Sequence, residues 1–395
     1  MLRLKAYLAK HYISQAELAR GIGISRAAMT NLLNKGEYPK REKEVVPKIE
    51  RALQAKGIPT FPGLFEAVAP DHLQADEGVP NITTNEEATL EITMLVAKQT
   101  LTQQARKHFS LFQDPFDDDI MQDTDDVFTT PDIREAREYL WTTAKIGGFM
   151  ALIGESGAGK STLRCELIER IHQGSEQIIV IEPYILGMED NDRKGKTMKA
   201  GSITEAIIAA IAPLEKPKAT SEARYAQLHR LLRDSSRAGN KHLLIIEEAH
   251  SLPLPTLKHL KRFRELTDGF KKLINIVLIG QSELLLKLSA TNLEVREVTQ
   301  RIEQVVLKPL NSDLENYLNF KFARIGKRLS DVIDASGIKA IQNRLTIPRK
   351  NSEPLSLLYP LAINNLLTAA MNDAAKIYNP IVDADTVKTV NLKNP

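Results

Sequence analysis

Four short strings carry the residues whose types and spacing could do chemistry. In GESGAGKST, Gly154, Gly159, Lys160 and Ser161 fit the spacing G-x-x-x-x-G-K-[ST]. Glu155, Ser156, Gly157, Ala158 and Thr162 complete a loop whose backbone amides can curl inward onto phosphate oxygens. A helix starting there adds the positive end of its dipole; Lys160 can reach the β- and γ-phosphates, and the Ser161 hydroxyl can hold magnesium. The second string, HLLIIEEAH, is an apolar run that ends in Glu247 and Glu248. The first acid of such a pair holds the metal, directly or through water, and the second orients or deprotonates the attacking water. Aspartate is usual at the first place, and the extra methylene of Glu247 lengthens its reach. Third, LINIVLIG runs into Gln281 and Ser282, a place from which a polar side chain could touch the γ-phosphate or the water. Fourth, VREVTQRIEQVV sets Arg296 and Arg301 just ahead of another short strand.

These strings need a scaffold that brings strand ends together. FMALI before the glycine loop, IIVIE, HLLIIE, LINIVLIG and the strand after Arg301 alternate with helical patterns. That order predicts an α/β doubly wound parallel sheet with the ligand at the carboxyl ends of the strands. The predicted layout is a module at 1–60, an acidic linker at 61–130 containing one helix near 85–109, an α/β domain at 131–310 and a helical lid at 311–395. The helix rests on Leu90, Met94, Ala97, Leu101 and Ala105, spaced by four, three, four and four. The chain has 395 residues, 43% hydrophobic and 26% charged, which excludes wholesale disorder. A single cysteine, Cys165, excludes an internal disulfide framework and a multi-thiolate zinc site. With no signal-like N-terminus and no long apolar run, the reading is a soluble, cytoplasmic, nucleoid-associated protein.

The net charge of +3 hides three blocks. Residues 1–60 carry 12 Lys/Arg and 5 Asp/Glu, a balance of +7; residues 61–130 carry 3 and 14, a balance of −11. The remainder is again +7, so two basic bodies flank an acidic connector and are candidate polyanion binders. In the first block Ser14 and Glu17 form a capping box, Leu18, Ala19 and Ile22 repeat at helical spacing, Gly23 permits a tight turn, and Met29, Leu32 and Leu33 line the next helix. Two further elements are basic: EDNDRKGKTMKAG, a loop with Arg193, Lys194, Lys196 and Lys199, and TLKHLKRFRE, where Lys258, Lys261 and Arg262 share a helical face. Either could contact phosphates without reading sequence, and either taken alone could equally be solvated surface.

The first block resembles the lambda-repressor/Cro-type helix-turn-helix. The resemblance implies that the helix starting near Ser25 presents Arg26, Ala27, Thr30 and Asn31 to a DNA major groove. Residues 130–380 resemble an AAA+ ATPase with ATP and Mg2+ as cofactors. By that resemblance Gln281 is the sensor, and Arg301, or failing it Arg296, completes the neighbouring subunit's site. Tyr359, Pro360 and Leu361 stand where many relatives place a lid arginine. EEAH, GQSEL and LAINNLLTAAM together narrow the resemblance to transposition ATPases of the phage Mu B type, with their TnsC-like and TniB-like transposon relatives. A secretion-associated ATPase group carries similar motifs. The transposition resemblance implies ATP-dependent self-association on duplex DNA, recruitment of a transposase and disassembly on hydrolysis. The alternatives are a helicase or replication loader and a nucleotide-switched helix-turn-helix regulator.

Overall fold

The computed structural model describes residues 4, 18–19, 22–35, 45–54, 65, 96–117, 126–183, 200–289, 296–349 and 353–390. The chain divides into two compact units, Met1–Thr83 and Thr84–Pro395. In the first, helices α1 (Arg26–Lys35) and α2 (Val45–Gln54) share a core with Leu4, Leu18, Ala19 and Ile22. Gly23 sits at φ +78°, a left-handed turn that a side chain would strain, and the Ile24 amide closes it onto the Ala19 carbonyl at 3.0 Å. The Ser25 hydroxyl caps α1 by accepting from the Ala28 amide at 3.2 Å.

The second unit begins, in its described part, with residues 96–102, then α3 (Gln103–His108) and α4 (Pro131–Lys145). Strand β1 (Phe149–Ile153) leads into α5 (Lys160–Gln173) and β2 (Ile178–Ile181). Helices α6 (Ala200–Ile211) and α7 (Ser221–Arg237) precede β3 (Lys241–Ile246), and α8 (Leu254–Glu265) precedes β4 (Asn275–Gly280). After α9 (Ser282–Lys287) and α10 (Arg296–Thr299) comes β5 (Glu303–Val306). The five strands form one sheet in the order β2-β3-β4-β1-β5, and every pairing is parallel. Alternate residues feed two cores. Met150 and Leu152 pack with α4 and α5, while Phe149, Ala151 and Ile153 pack with the face that holds α6, α7 and α8. Returning to β1's flank through β4 makes the β1 end a topological switch point, where a crevice opens.

The lid contains α11 (Leu314–Arg324), α12 (Ala335–Arg344), α13 (Pro360–Lys376) and α14 (Ala384–Thr389). Here the expected 85–109 helix is corrected: among the described residues only Gln103–His108 is helical, and residues 96–102 are not. The physical cause is a competing set of partners. Asn365 Nδ2 donates to the Val96 carbonyl at 3.2 Å, Asn372 Nδ2 to the Thr100 carbonyl at 3.1 Å, and the Thr102 amide donates to Asn372 Oδ1 at 2.9 Å. Amides and carbonyls satisfied by α13 side chains need no helical ladder. Val96, Leu101, Ala105, Phe109 and Leu111 are buried in the lid core, so this stretch of the acidic connector is part of the lid. Among the described residues no helix is long and apolar enough to cross a membrane.

Candidate nucleotide-binding site

The glycine loop leaves β1 with the Gly154 amide donating to the Gly280 carbonyl at 3.2 Å, which fixes it beside the end of β4. Gly159 stands at φ +94° and opens α5, a conformation that frees the helix's first amides to point into the crevice. Gly157 stands at φ +74° for a second reason: a Cβ there would lie 2.1 Å from Leu361 Cβ. The first turn of lid helix α13 thus rests on the loop, and the Leu361 amide donates to the Gly157 carbonyl at 3.3 Å. At the start of α13, where no arginine stands, the chain joins lid to loop by close packing and a backbone hydrogen bond.

Lys160 is buried and its ammonium donates to the carbonyls of Gly154 and Glu155 at 2.7 and 2.8 Å. Burial pulls its pKa down, while the carboxylates of Glu248, Glu155 and Glu283 oppose the shift. A cavity of about 320 Å3 opens over the loop, a volume in the range of small-ligand pockets. Residues 156–162 line it from the loop, Glu248 and Gln281 from the ends of β3 and β4. Val127, Phe128, Ile133, Leu310 and Tyr317 give it an apolar side suited to a flat base, with the Phe128 and Tyr317 rings edge-to-face at 5.4 Å. The Tyr317 hydroxyl donates to Asn364 Oδ1 at 2.9 Å.

The two acids diverge. Glu248 lines the cavity from a left-handed conformation, φ +45°, of the sort that persists where surrounding structure enforces it. Glu247 is outside the lining and accepts an ion pair from Arg164 Nε at 3.2 Å, beside the Arg164–Glu182 pair at 2.6 Å. Glu248 Oε2 stands 3.4 Å from His250 Nδ1, and the Gln281 amide donates to that same nitrogen at 3.4 Å. His250, absent from the sequence expectation, therefore stands between Glu248 and the backbone of Gln281; its signal in the sequence was its place two residues after Glu248. Lys321 was also missed. It lines the cavity from α11 with its ammonium 5.9 Å from the Tyr317 ring centre, giving the lid a cation that the start of α13 lacks.

Arg301 does not line this cavity; it pairs with Glu265 at 3.0 Å, half-exposed, and Arg296 opens α10. On α8, Lys261 is drawn to Glu297 at 2.5 Å and Glu265 at 3.8 Å, which neutralises much of the face it shares with Lys258 and Arg262. Thr30 is half-buried and Asn31 exposed on α1, with Ser25 exposed ahead of it. Ser14, Glu17, Arg193, Lys194, Lys196 and Lys199, and the side chains of Arg26 and Ala27, lie outside the described residues.

A parallel sheet ordered β2-β3-β4-β1-β5, with a phosphate loop at the end of β1, paired acids after β3, a polar residue after β4 and a helical lid over the crevice, is the AAA+ P-loop fold. Residues 144–288 match the family model of the AAA domain, and residues 3–55 match that of the Cro/C1-type HTH DNA-binding domain. The chain carries an AAA domain and a Cro/C1-type helix-turn-helix domain. General secretion pathway protein A of Aeromonas hydrophila is similar at 29% identity over 187 residues, 46% of this chain and 30% of that protein. The chain thus spans less than a third of that relative's length. Among solved structures, the Aeropyrum pernix ORC2 protein is similar at 14% identity and a TM-score of 0.48, over 72% of this chain and 73% of that one. The Thermotoga maritima RuvB Holliday junction branch migration motor is similar at 15% identity and a TM-score of 0.38, over 68% and 70%.

Proposed function

We propose that the chain is an ATP-driven DNA-binding protein of transposition, one that assembles on duplex DNA with ATP, presents that DNA to a transposase and disassembles on hydrolysis. The observation that carries the reading is the pairing in one chain of a Cro/C1-type module with a nucleotide cavity whose lid rests directly on the phosphate loop. The EEAH, GQSEL and LAINNLLTAAM strings support the transposition class. The 29% identity to General secretion pathway protein A favours a second reading, an AAA ATPase of a secretion pathway; the Cro/C1-type module weighs against it.

In this mechanism the loop amides and Lys160 grip the phosphates of ATP, and its charge detaches Lys160 from the two loop carbonyls. Ser161, and Glu247 once released from Arg164, would offer the oxygen donors that Mg2+ prefers, and the ion when bound would neutralise charge on the phosphates. Glu248 accepts the proton of the attacking water, and His250 and Gln281 hold the geometry of that corner. Leu361 senses the loop through its backbone, so occupation of the cavity moves the lid. Arg301 reaches a neighbouring subunit's cavity after release from Glu265.

The test is fluorescence anisotropy of random-sequence duplex with the full chain in the presence of ATP, ADP or no nucleotide. Binding should require ATP, steepen with protein concentration and fall sharply with salt. Lys160→Ala should abolish the nucleotide dependence. Equal binding without nucleotide, or binding confined to one palindromic site, sinks the reading.

A further inference from the structure

At the amino end of the sheet, away from the nucleotide, lies a second cleft of about 320 Å3. Its walls come from four distant segments: the end of α4, the turn between α7 and β3, the end of α8, and a short hairpin pairing Thr267–Asp268 with Lys271–Lys272 just ahead of β4. Lys145, Lys241, Arg264, Lys271 and Lys272 line it, and no Asp or Glu does.

The charges are unevenly compensated. Lys145 and Lys241 converge on a single carboxylate, Glu176, at 3.0 and 2.6 Å, and so keep a surplus of positive charge. Arg264 is half-buried, donates to the Ile274 carbonyl at 3.3 Å and has no carboxylate within ion-pair distance among the described residues. Burial alone lowers its pKa, the mark of a guanidinium taken from water without an anion in return. Lys272 is exposed, and Lys271, also exposed, donates to the Ser236 carbonyl at 3.4 Å. The hairpin that carries these lysines is braced: Arg237 grips Asp268 with two bonds of 2.7 and 2.9 Å, and Gly269 turns the chain at φ +61°. At its tip Phe270 is wholly exposed, at 106% of the reference area. An exposed aromatic ring on a braced hairpin, beside cations that outnumber their carboxylate partner, suits a ligand with alternating phosphates and flat apolar groups.

We infer that this cleft is a second nucleic-acid site, in which Arg264, Lys271 and Lys272 hold backbone phosphates of duplex DNA and Phe270 packs against the adjoining sugar or base edge. The inference deepens the duplex-binding reading above and rests on it. It relocates the non-specific contact on the ATPase domain from the α8 face, where Lys261 is tied to Glu297 and Glu265, to the opposite end of the sheet from ATP. A free phosphate ion would use the cations but leave Phe270 idle.

The experiment measures binding of the full chain to labelled random-sequence duplex, with ATP, across a salt series. Lys271→Ala combined with Lys272→Ala should lower the slope of log affinity against log salt by about 1.8, at roughly 0.9 per phosphate contact. Phe270→Ala should weaken binding and leave that slope in place. All three residues are exposed, so an unaltered melting temperature certifies the fold. If the unmutated chain fails to bind duplex in any nucleotide state, the duplex-binding reading falls and takes this site with it. If it binds and the double variant keeps both affinity and slope, the cleft assignment alone is overturned. Polyglutamate that competes as well as duplex at equal charge also overturns it, in favour of an acidic protein partner.

Discussion

The two ends of the five-stranded sheet solve the problem of positive charge in opposite ways. At the carboxyl end Lys160 is buried, and its charge is satisfied twice by loop carbonyls and supported by three nearby carboxylates. At the amino end Arg264 is half-buried with a single carbonyl acceptor, and its neighbours Lys145 and Lys241 share one acid. The first arrangement is self-contained and waits for a ligand that offers stronger oxygens than backbone carbonyls. The second is incomplete without an anion from outside. A site of the first kind can hold its geometry empty or full, which suits catalysis. A site of the second kind gains most from whatever polyanion arrives, which suits adhesion without sequence reading.

The largest test of this contrast acts on the carboxyl end. Glu248→Gln keeps the shape of the corner and removes the base, so kcat for ATP hydrolysis should fall by roughly 100- to 10,000-fold. ATP affinity should not weaken, because a carboxylate facing the phosphates is removed while Lys160 and the loop amides remain. Steady-state hydrolysis beside a nucleotide-binding titration separates the two. Hydrolysis within a few-fold of the unmutated rate would show that the acid belongs to Glu247 or to another group, and the Arg164–Glu247 pair would then have to open on binding.

The same contrast decides what could be read in the sequence. The phosphate loop, Glu248 and Gln281 each sit directly after an apolar strand, so local spacing was enough to place them. The repressor-like core was equally local: Leu18, Ala19, Ile22, Met29, Leu32 and Leu33 are all buried. Lys321, Tyr317 and Asn364 reach the same cavity from the lid, more than 150 residues from the loop, and nothing in their own strings marks them. The basic cleft was illegible for the same reason, being built from four segments whose convergence only the strand order creates. The 96–102 part of the expected 85–109 helix failed differently. Its apolar spacing fitted a helix, but spacing says nothing of which groups answer the backbone, and Asn365 and Asn372 answer it from about 270 residues away.

That failure offers the next test, on the stretch that makes the lid over the carboxyl end. Asn372 is buried and serves both the Thr100 carbonyl and the Thr102 amide, so Asn372→Ala leaves two polar backbone groups in a partly buried place. The cost should be about 1–3 kcal/mol, read as a melting temperature lower by several degrees. Trypsin should cut faster at Lys98, which is exposed in this stretch. An unchanged melting temperature would mean that Val96 and Leu101 hold the segment by packing alone.

The smallest expected effect belongs to the amino end and separates its buried groups from its exposed ones. His242 is almost fully buried against the cleft; its Nδ1 donates to the Leu273 carbonyl at 2.8 Å, and its Nε2 meets the Ser235 hydroxyl at 2.9 Å. Burial lowers its pKa first; the Leu273 carbonyl opposes that shift and the nearby Lys271 charge adds to it. Above the ordinary value of 6.5 neither the folded nor the unfolded chain protonates this ring, so it adds no pH dependence there. Below that value the unfolded chain takes up the proton first, and stability falls until the pH passes the lowered folded value, where the loss levels off. Thermal unfolding followed from pH 7.5 downward should therefore show a decline that His242→Gln reduces, since glutamine can still donate to one neighbour and accept from the other without titrating. Equal declines in both proteins would place the acid sensitivity in the carboxylates, and leave the amino end distinguished from the carboxyl end by its exposed cations alone.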